Sequence, residues 1–167
     1  MVYHIILGSN LGDREMQLRN ARSLLAARAG TIKAESRMYE TQPWGVEDQP
    51  WFLNQAIALI SEKEPLDLLA ICKNIEAELG RLPGEQWHAR HIDIDMVLAE
   101  STVLQHPDLT LPHPRMHERN FVLIPLMEIA AYKIHPVFGK TIEELFFECR
   151  DIGEVYIFNA DEQRDPV

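Results

Sequence analysis

The chain has 167 residues, of which 46% are apolar and 25% charged, the balance of a soluble globular protein with a single core. Its 16 Lys+Arg against 26 Asp+Glu give a net charge of −10, which disfavours nucleic acid as a partner, since such binders need a basic face. No apolar run approaches the ~20 residues that span a membrane, the opening MVYHIILGSN lacks the charged start of a signal peptide, and Cys72 and Cys149 have no metal or redox spacing, so the reading is a cytoplasmic protein with reduced, buried thiols.

Residues 2–7 (VYHIIL) read as a short buried strand ending at Gly8-Ser9-Asn10, a weak candidate for a small anion nest. Asp13 is a candidate N-cap, and Leu18, Ala21 and Leu25 recur at helical spacing to about Arg28, with Gly30 as the stop. Residues 31–39 (TIKAESRMY) alternate as a second strand, and 41–50, with two prolines and a glycine, form a loop. The third strand, 51–60, puts Phe52, Asn54, Ala56 and Ala58 on one face and Leu53, Ile57 and Leu59 on the other. Pro65 suits the first position of a helix whose stripe Leu68, Cys72, Ile75 and Leu79 ends at Gly80. An irregular segment, 81–91, leads into a fourth strand over 92–98. A strand-like piece near Val103-Leu104, a Pro-rich turn at 111–114 and a helical stretch ending near Ala130 follow, with weaker elements beyond.

No repeat or linker splits the chain, which reads as one domain over 1–160 with 161–167 as a frayed acidic tail. The order predicts an α+β fold, a ferredoxin-like β-α-β-β-α-β core whose antiparallel sheet carries both helices on one face. The opposite face is left open for a ligand.

Within RHIDIDMVL (90–98), Asp93, Asp95 and Val97 share one strand face, with Ile92, Ile94 and Met96 on the other. Two carboxylates side by side repel, and Asp is poorly suited to a strand interior. A solvated face is one reading. The other is a magnesium site, because Mg²⁺ takes hard oxygen ligands, and two carboxylates can bridge a pair of ions that clamp phosphates. Arg90 offers either an ion pair to these aspartates or a fork for phosphate oxygens, and Trp87 could wall the same site. On the third strand, Phe52 either caps the core or stacks on a flat ligand whose edge the Asn54 amide would read. In LPHPRMHERNF (111–121), Pro112 and Pro114 argue against a helix that would pair His113 and His117 on a metal. Arg119 and Phe121 fit a phosphate contact and a second aromatic wall.

The segments ILGSNLGDR, YETQPWGVEDQPWFLN, IEAELGR, RHIDIDMVL and LTLPHPRMHERNFVLIPLMEIA, in this order and spacing, resemble the 6-hydroxymethyl-7,8-dihydropterin pyrophosphokinase family over roughly residues 1–140. The resemblance implies transfer of the β,γ-pyrophosphate of ATP to the hydroxymethyl group of the dihydropterin, with AMP released, in folate biosynthesis. It implies two Mg²⁺ ions on Asp93 and Asp95, bound with ATP. Thr41, Gln42, Trp44, Phe52, Asn54 and Phe121 would bind the pterin, with Phe52 and Phe121 sandwiching its ring. Trp87 and Arg90 would close over the substrates, and Arg81 would support the reaction. Glu76, Arg90, Met96, Thr110, His113 and Arg119 would serve ATP. The expected partners are these two small molecules alone, and the protein is expected to be a monomer.

The sequence departs from the family pattern at four places. Gln86-Trp87-His88-Ala89-Arg90 stands for the usual basic-Trp-Gly-Pro-Arg, Pro83 and Asp108 stand where arginines are common, and Phe52 replaces a frequent tyrosine. Fewer cations imply weaker ATP binding or slower loop closure. Two alternatives therefore stay open: a pterin- or nucleotide-binding paralogue with little turnover, and another D-x-D nucleotide-dependent transferase.

Overall fold

The structure, a computed structural model, describes residues 1–45, 48–80 and 91–161. In chain order its main elements are β1 (Val2–Ser9), α1 (Arg14–Arg28), β2 (Thr31–Glu35), β3 (Tyr39–Thr41), β4 (Phe52–Ile60), α2 (Pro65–Glu78) and β5 (Asp93–Ala99). They continue with β6 (Leu104–His106), β7 (Leu109–Leu111), α3 (Asn120–Ala130), α4 (Ile142–Glu148) and β8 (Val155–Ile157). The main sheet runs β5-β1-β4-β3-β8, with β2 also paired to β4, and every pairing is antiparallel. With β2 and β3 counted as one bent strand, the central four positions have the ferredoxin-like order, as expected. β6 and β7 form a separate hairpin-like pair.

Local chemistry explains the boundaries. Asp13 caps α1 by accepting the Met16 N–H at 3.0 Å, and Pro65 opens α2 where its missing N–H costs nothing. Gly30, expected as a helix stop, has a different reason: a Cβ there would lie 2.0 Å from the Ile60 carbonyl oxygen, so only glycine lets the chain pass β4. The single strand expected over 31–39 is instead broken. The Ser36 hydroxyl accepts the Ala56 N–H at 2.9 Å, replacing a ladder contact with a side-chain one, and the chain steps before β3 resumes. Pairing with β4 then delivers Thr41 opposite Phe52.

One core lies between the sheet and α1 and α2. Tyr3, Ile5 and Leu7 of β1, Leu53, Ile57 and Leu59 of β4, and Ile94 and Met96 of β5 meet Leu18, Ala21, Leu25, Leu68, Cys72 and Ile75. Cys72 is a buried thiol, pushed up to about 12 by burial, while Cys149 is only half-buried; neither is in a disulfide.

The face expected to be open is half closed. Ile6, Ala56, Val97 and Leu98 form a second core with Val122, Leu123 and Leu126 of α3 and Ile142 and Leu145 of α4. A bulge on β5 opposite His4/Ile5 turns both Val97 and Leu98 into this core, which strict alternation cannot do. What remains open is the end of the sheet where β1 finishes and β4 and β5 begin. Among the described residues no helix is long and apolar enough to cross a membrane.

Candidate active site

At that open end the register sets two rows across three strands. Gly8 lies between Asn54 on β4 and Asp93 on β5, and Ile6 lies between Ala56 and Asp95. Gly8 is the gap in the first row: a Cβ there would come within 2.6 Å of Asn54 Oδ1 and 3.7 Å of the Phe52 ring. Its lack of a side chain joins the aromatic and amide corner to the carboxylate pair in one hollow.

That hollow is a cavity of about 280 Å³. Of the residues singled out in the sequence, Thr41, Gln42, Trp44, Phe52, Asn54, Asp93, Asp95, His113, Arg119 and Phe121 line it. Gly8, expected only as part of a weak anion nest, also lines it, as do Lys73 and Gln49, which were not anticipated. Lys73 sits on the polar side of α2, where one lysine among several carries no signal, and only the register shows what Gly8 is for.

Asn54 and Thr41 are both buried, and the Asn54 amide nitrogen donates to Thr41 Oγ1 at 2.5 Å. That bond orients Oδ1 as an acceptor beside Gly8. Gln42 is held from the far side: its N–H donates to the Glu154 carbonyl at 3.0 Å, and its Oε1 accepts the Glu154 N–H at 3.3 Å. Its side chain is thus partly committed to the segment that precedes β8.

The side of the cavity lined by Lys73, His113 and Arg119 carries its basic groups. His113 is tied to the aspartate strand, its N–H donating to the Val97 carbonyl at 2.9 Å. Its Nδ1 accepts the Arg115 N–H at 3.1 Å, so the neutral ring carries its proton on Nε2 and is a donor there. Burial, with Arg119 and Arg115 adding to it, lowers the His113 pKa to about 4, so the ring is neutral at pH 7. Burial also lowers Arg119, against the pull of Asp95 and Asp93, and its Nε has no hydrogen-bond partner among the described residues. The Arg119 guanidinium lies 4.7 Å over the Trp44 ring and 5.6 Å over Phe121, and Arg115 lies 5.2 Å over the same Trp44.

Several expected residues sit elsewhere. Glu76 does not line the cavity; it is buried on α2, where Oε1 accepts the Ile94 N–H at 2.8 Å and Oε2 meets Lys73 Nζ at 3.2 Å. Through the first of these bonds it holds the aspartate strand from behind. The Met96 side chain is buried in the helix-side core, so only its main chain is available to a ligand. Thr110 is on β7, outside the cavity lining. His117 packs edge-on against Phe138 at 4.7 Å, away from His113, and no cluster of three metal-binding side chains occurs among the described residues. Arg81, Trp87 and Arg90, with Pro83 and the variant loop, lie outside the described residues.

The donor set on β5 fits magnesium bound with a nucleotide. Two half-buried carboxylates share a cavity with Lys73, His113 and Arg119, so phosphate oxygens and water would complete the ion's shell.

The model of the family described as 7,8-dihydro-6-hydroxymethylpterin-pyrophosphokinase (HPPK) matches residues 4–131. The 2-amino-4-hydroxy-6-hydroxymethyldihydropteridine pyrophosphokinase of Porphyromonas gingivalis is 45% identical over 139 residues, 81% of this chain and 94% of that one. The protein of that name from Bacillus subtilis is 45% identical over 129 residues, 77% of either chain. Among solved structures, wild-type Plasmodium falciparum HPPK-DHPS with pteroate superimposes with a TM-score of 0.70 at 16% identity, which speaks to the fold. The match covers 88% of this chain and 42% of that longer one. The chain belongs to the 7,8-dihydro-6-hydroxymethylpterin-pyrophosphokinase family.

Proposed function

We propose that this cavity is where the pyrophosphoryl group of ATP passes to the hydroxymethyl oxygen of 6-hydroxymethyl-7,8-dihydropterin, releasing AMP, in folate biosynthesis. The observation that carries this reading is the row Asn54–Gly8–Asp93, which sets a flat, amide-edged pocket beside a carboxylate pair with nothing between them. The pterin ring lies between Phe52 and Phe121, its edge read by Asn54 Oδ1, Thr41 and the main chain that follows. Asp93 and Asp95 would hold two Mg²⁺ ions bound with ATP, whose chemistry there would be to neutralise phosphate charge. His113 Nε2–H and Arg119 donate to phosphate oxygens, and Lys73 adds charge from α2. The family resemblance implies that Trp87 and Arg90 would act on the bound substrates, with Arg81 in support. Met96 offers its main chain, with Thr110, toward the nucleoside.

Chemically the site orients and neutralises; no side chain is assigned as general base. We read the protein as a monomer working in the cytoplasm on these two small molecules.

The test is nucleotide chromatography after incubating the protein with ATP, Mg²⁺ and the hydroxymethyl-dihydropterin. The expected result is AMP and pyrophosphorylated pterin in equal amounts, and none of either with the metal chelated. ADP would indicate a different transferase, since ordinary phosphoryl transfer breaks the β–γ bond. ATP left unchanged at high protein concentration would indicate a binding paralogue.

A further inference from the structure

Trp44 follows the segment that carries Thr41 and Gln42, yet its ring does not simply wall the cavity. Two guanidinium groups, from Arg115 at 5.2 Å and Arg119 at 4.7 Å, lie over it. Both come from the stretch between β7 and α3, on the side read above as the phosphate side. Arg119 is the less satisfied of the two, since Arg115 is exposed to solvent. Arg115 has a loose ion pair with Glu118 at 3.9 Å, and the buried Arg119 Nε has no hydrogen-bond partner among the described residues. Two like charges sharing a half-buried site repel, and the negative face of an indole is the group that offsets this.

We propose that Trp44 is a positioning residue that couples the two substrates: its indole face carries Arg115 and Arg119, linking the order of the pterin segment to that of the phosphate-binding side. A guanidinium stacked by its face still donates in plane from its edge, so the arginines can hold phosphate without leaving the ring. Phosphate charge fixes the arginines, the arginines fix the indole, and the indole fixes its own wall of the pterin slot. Coupling of this kind is reciprocal, so bound pterin raises nucleotide affinity by the same factor. The inference rests on the proposed function only in placing ATP phosphates beside Arg119.

The test is calorimetric titration of pterin and of a non-hydrolysable ATP analogue with Mg²⁺, each alone and with the other present. The full chain is used, as wild type, Trp44→Phe and Trp44→Leu. The quantity that decides is the enhancement factor, the ratio of a ligand's affinities with and without its partner. Wild type is expected to show clear mutual enhancement. Trp44→Leu, which keeps apolar volume but has no π face, is expected to lower the factor by about tenfold, a coupling loss of about 1.4 kcal/mol. Trp44→Phe is expected to recover most of it. A side chain that merely walled the slot would change both pterin affinities equally and leave the factor untouched. An unchanged factor in Trp44→Leu therefore overturns the proposal, as does equal loss in the Phe and Leu variants. Failure of the analogue to bind wild type at all overturns the phosphate-side assignment, and this coupling with it.

Discussion

Gly8 shows how much of the site hangs on one missing atom. Its neighbours across the sheet are Asn54 and Asp93, and a methyl group there would sit 2.6 Å from Asn54 Oδ1. The amide would have to turn, breaking its bond to Thr41. Gly8→Ala is expected to weaken pterin binding by ~10–100-fold, the scale of a lost buried hydrogen bond, while changing the urea midpoint little. Calorimetry with pterin alone checks it, and unchanged affinity would mean that Asn54 does not read the ring. The aspartates fail differently. Asp93→Asn or Asp95→Asn keeps volume and strand pairing but removes the charge needed for Mg²⁺, so transfer should fall to a small residue with the fold intact. Near-normal turnover of both variants at saturating Mg²⁺ would refute the metal assignment. Both aspartates stand out in the sequence because charge in an apolar strand needs a reason. Gly8 stands out only as part of a weak anion nest at the strand end, and its role as a gap between Asn54 and Asp93 needs the register. A pterin role for Trp44 comes from the family resemblance, and only coordinates show the two arginines over its ring.

Among the elements, β5 is held in place from two sides. Glu76 on α2 accepts the Ile94 N–H at 2.8 Å, and the His113 N–H donates to the Val97 carbonyl at 2.9 Å. β5 is an edge strand, so these bonds satisfy main-chain groups that another strand would otherwise pair. Glu76→Ala leaves the Ile94 N–H buried without that acceptor and is expected to cost about 1–3 kcal/mol of stability and most of the activity. Glu76→Gln retains an acceptor and should restore stability first. Loss of activity with full stability in the Ala variant would mean that Glu76 acts directly on substrate after all. The helix-and-strand order of the core was legible in the sequence because its apolar periods are long and clean. The break at Ser36 was not, since a serine continues the alternation of TIKAESRMY and breaks the strand only through its own hydroxyl. The C-terminal region was the least legible. Its elements are short, but Asp151 accepts the Asn120 N–H at 2.9 Å at the start of α3, next to Phe121, and Glu154 holds Gln42. Residues past the family match at 131 therefore brace both sides of the cavity.

The balance of the whole molecule shifts with acid, and the direction follows from where two histidines lie. His4 is 5% exposed on β1, facing Ala58 and Leu98, with no hydrogen-bond partner for Nδ1 among the described residues. Burial, and secondarily Lys133, lowers its pKa to about 4. His113 is lowered to about 4 by burial and by Arg119 and Arg115. An unfolded histidine titrates near 6.5, so as pH falls the unfolded chain takes up protons first. Stability is therefore complete above pH ~6.5, drains between ~6.5 and 4, and loses nothing further from these groups below that. For the well-buried His4 the loss by pH 5 is on the order of 1–2 kcal/mol. The His113 share is smaller, because that ring borders the open cavity and water screens it. Urea midpoints at pH 7.5 and pH 5 measure the total, and His4→Leu isolates one contributor. The variant has no proton to gain and no unpartnered nitrogen to bury, so its midpoint should fall distinctly less than wild type between the two pH values. Bound ATP analogue adds an independent check, since phosphate beside His113 favours the protonated ring and should shrink the remaining acid sensitivity. If His4→Leu tracks wild type across the whole range, His4 is protonated in the folded protein and its burial has been misjudged.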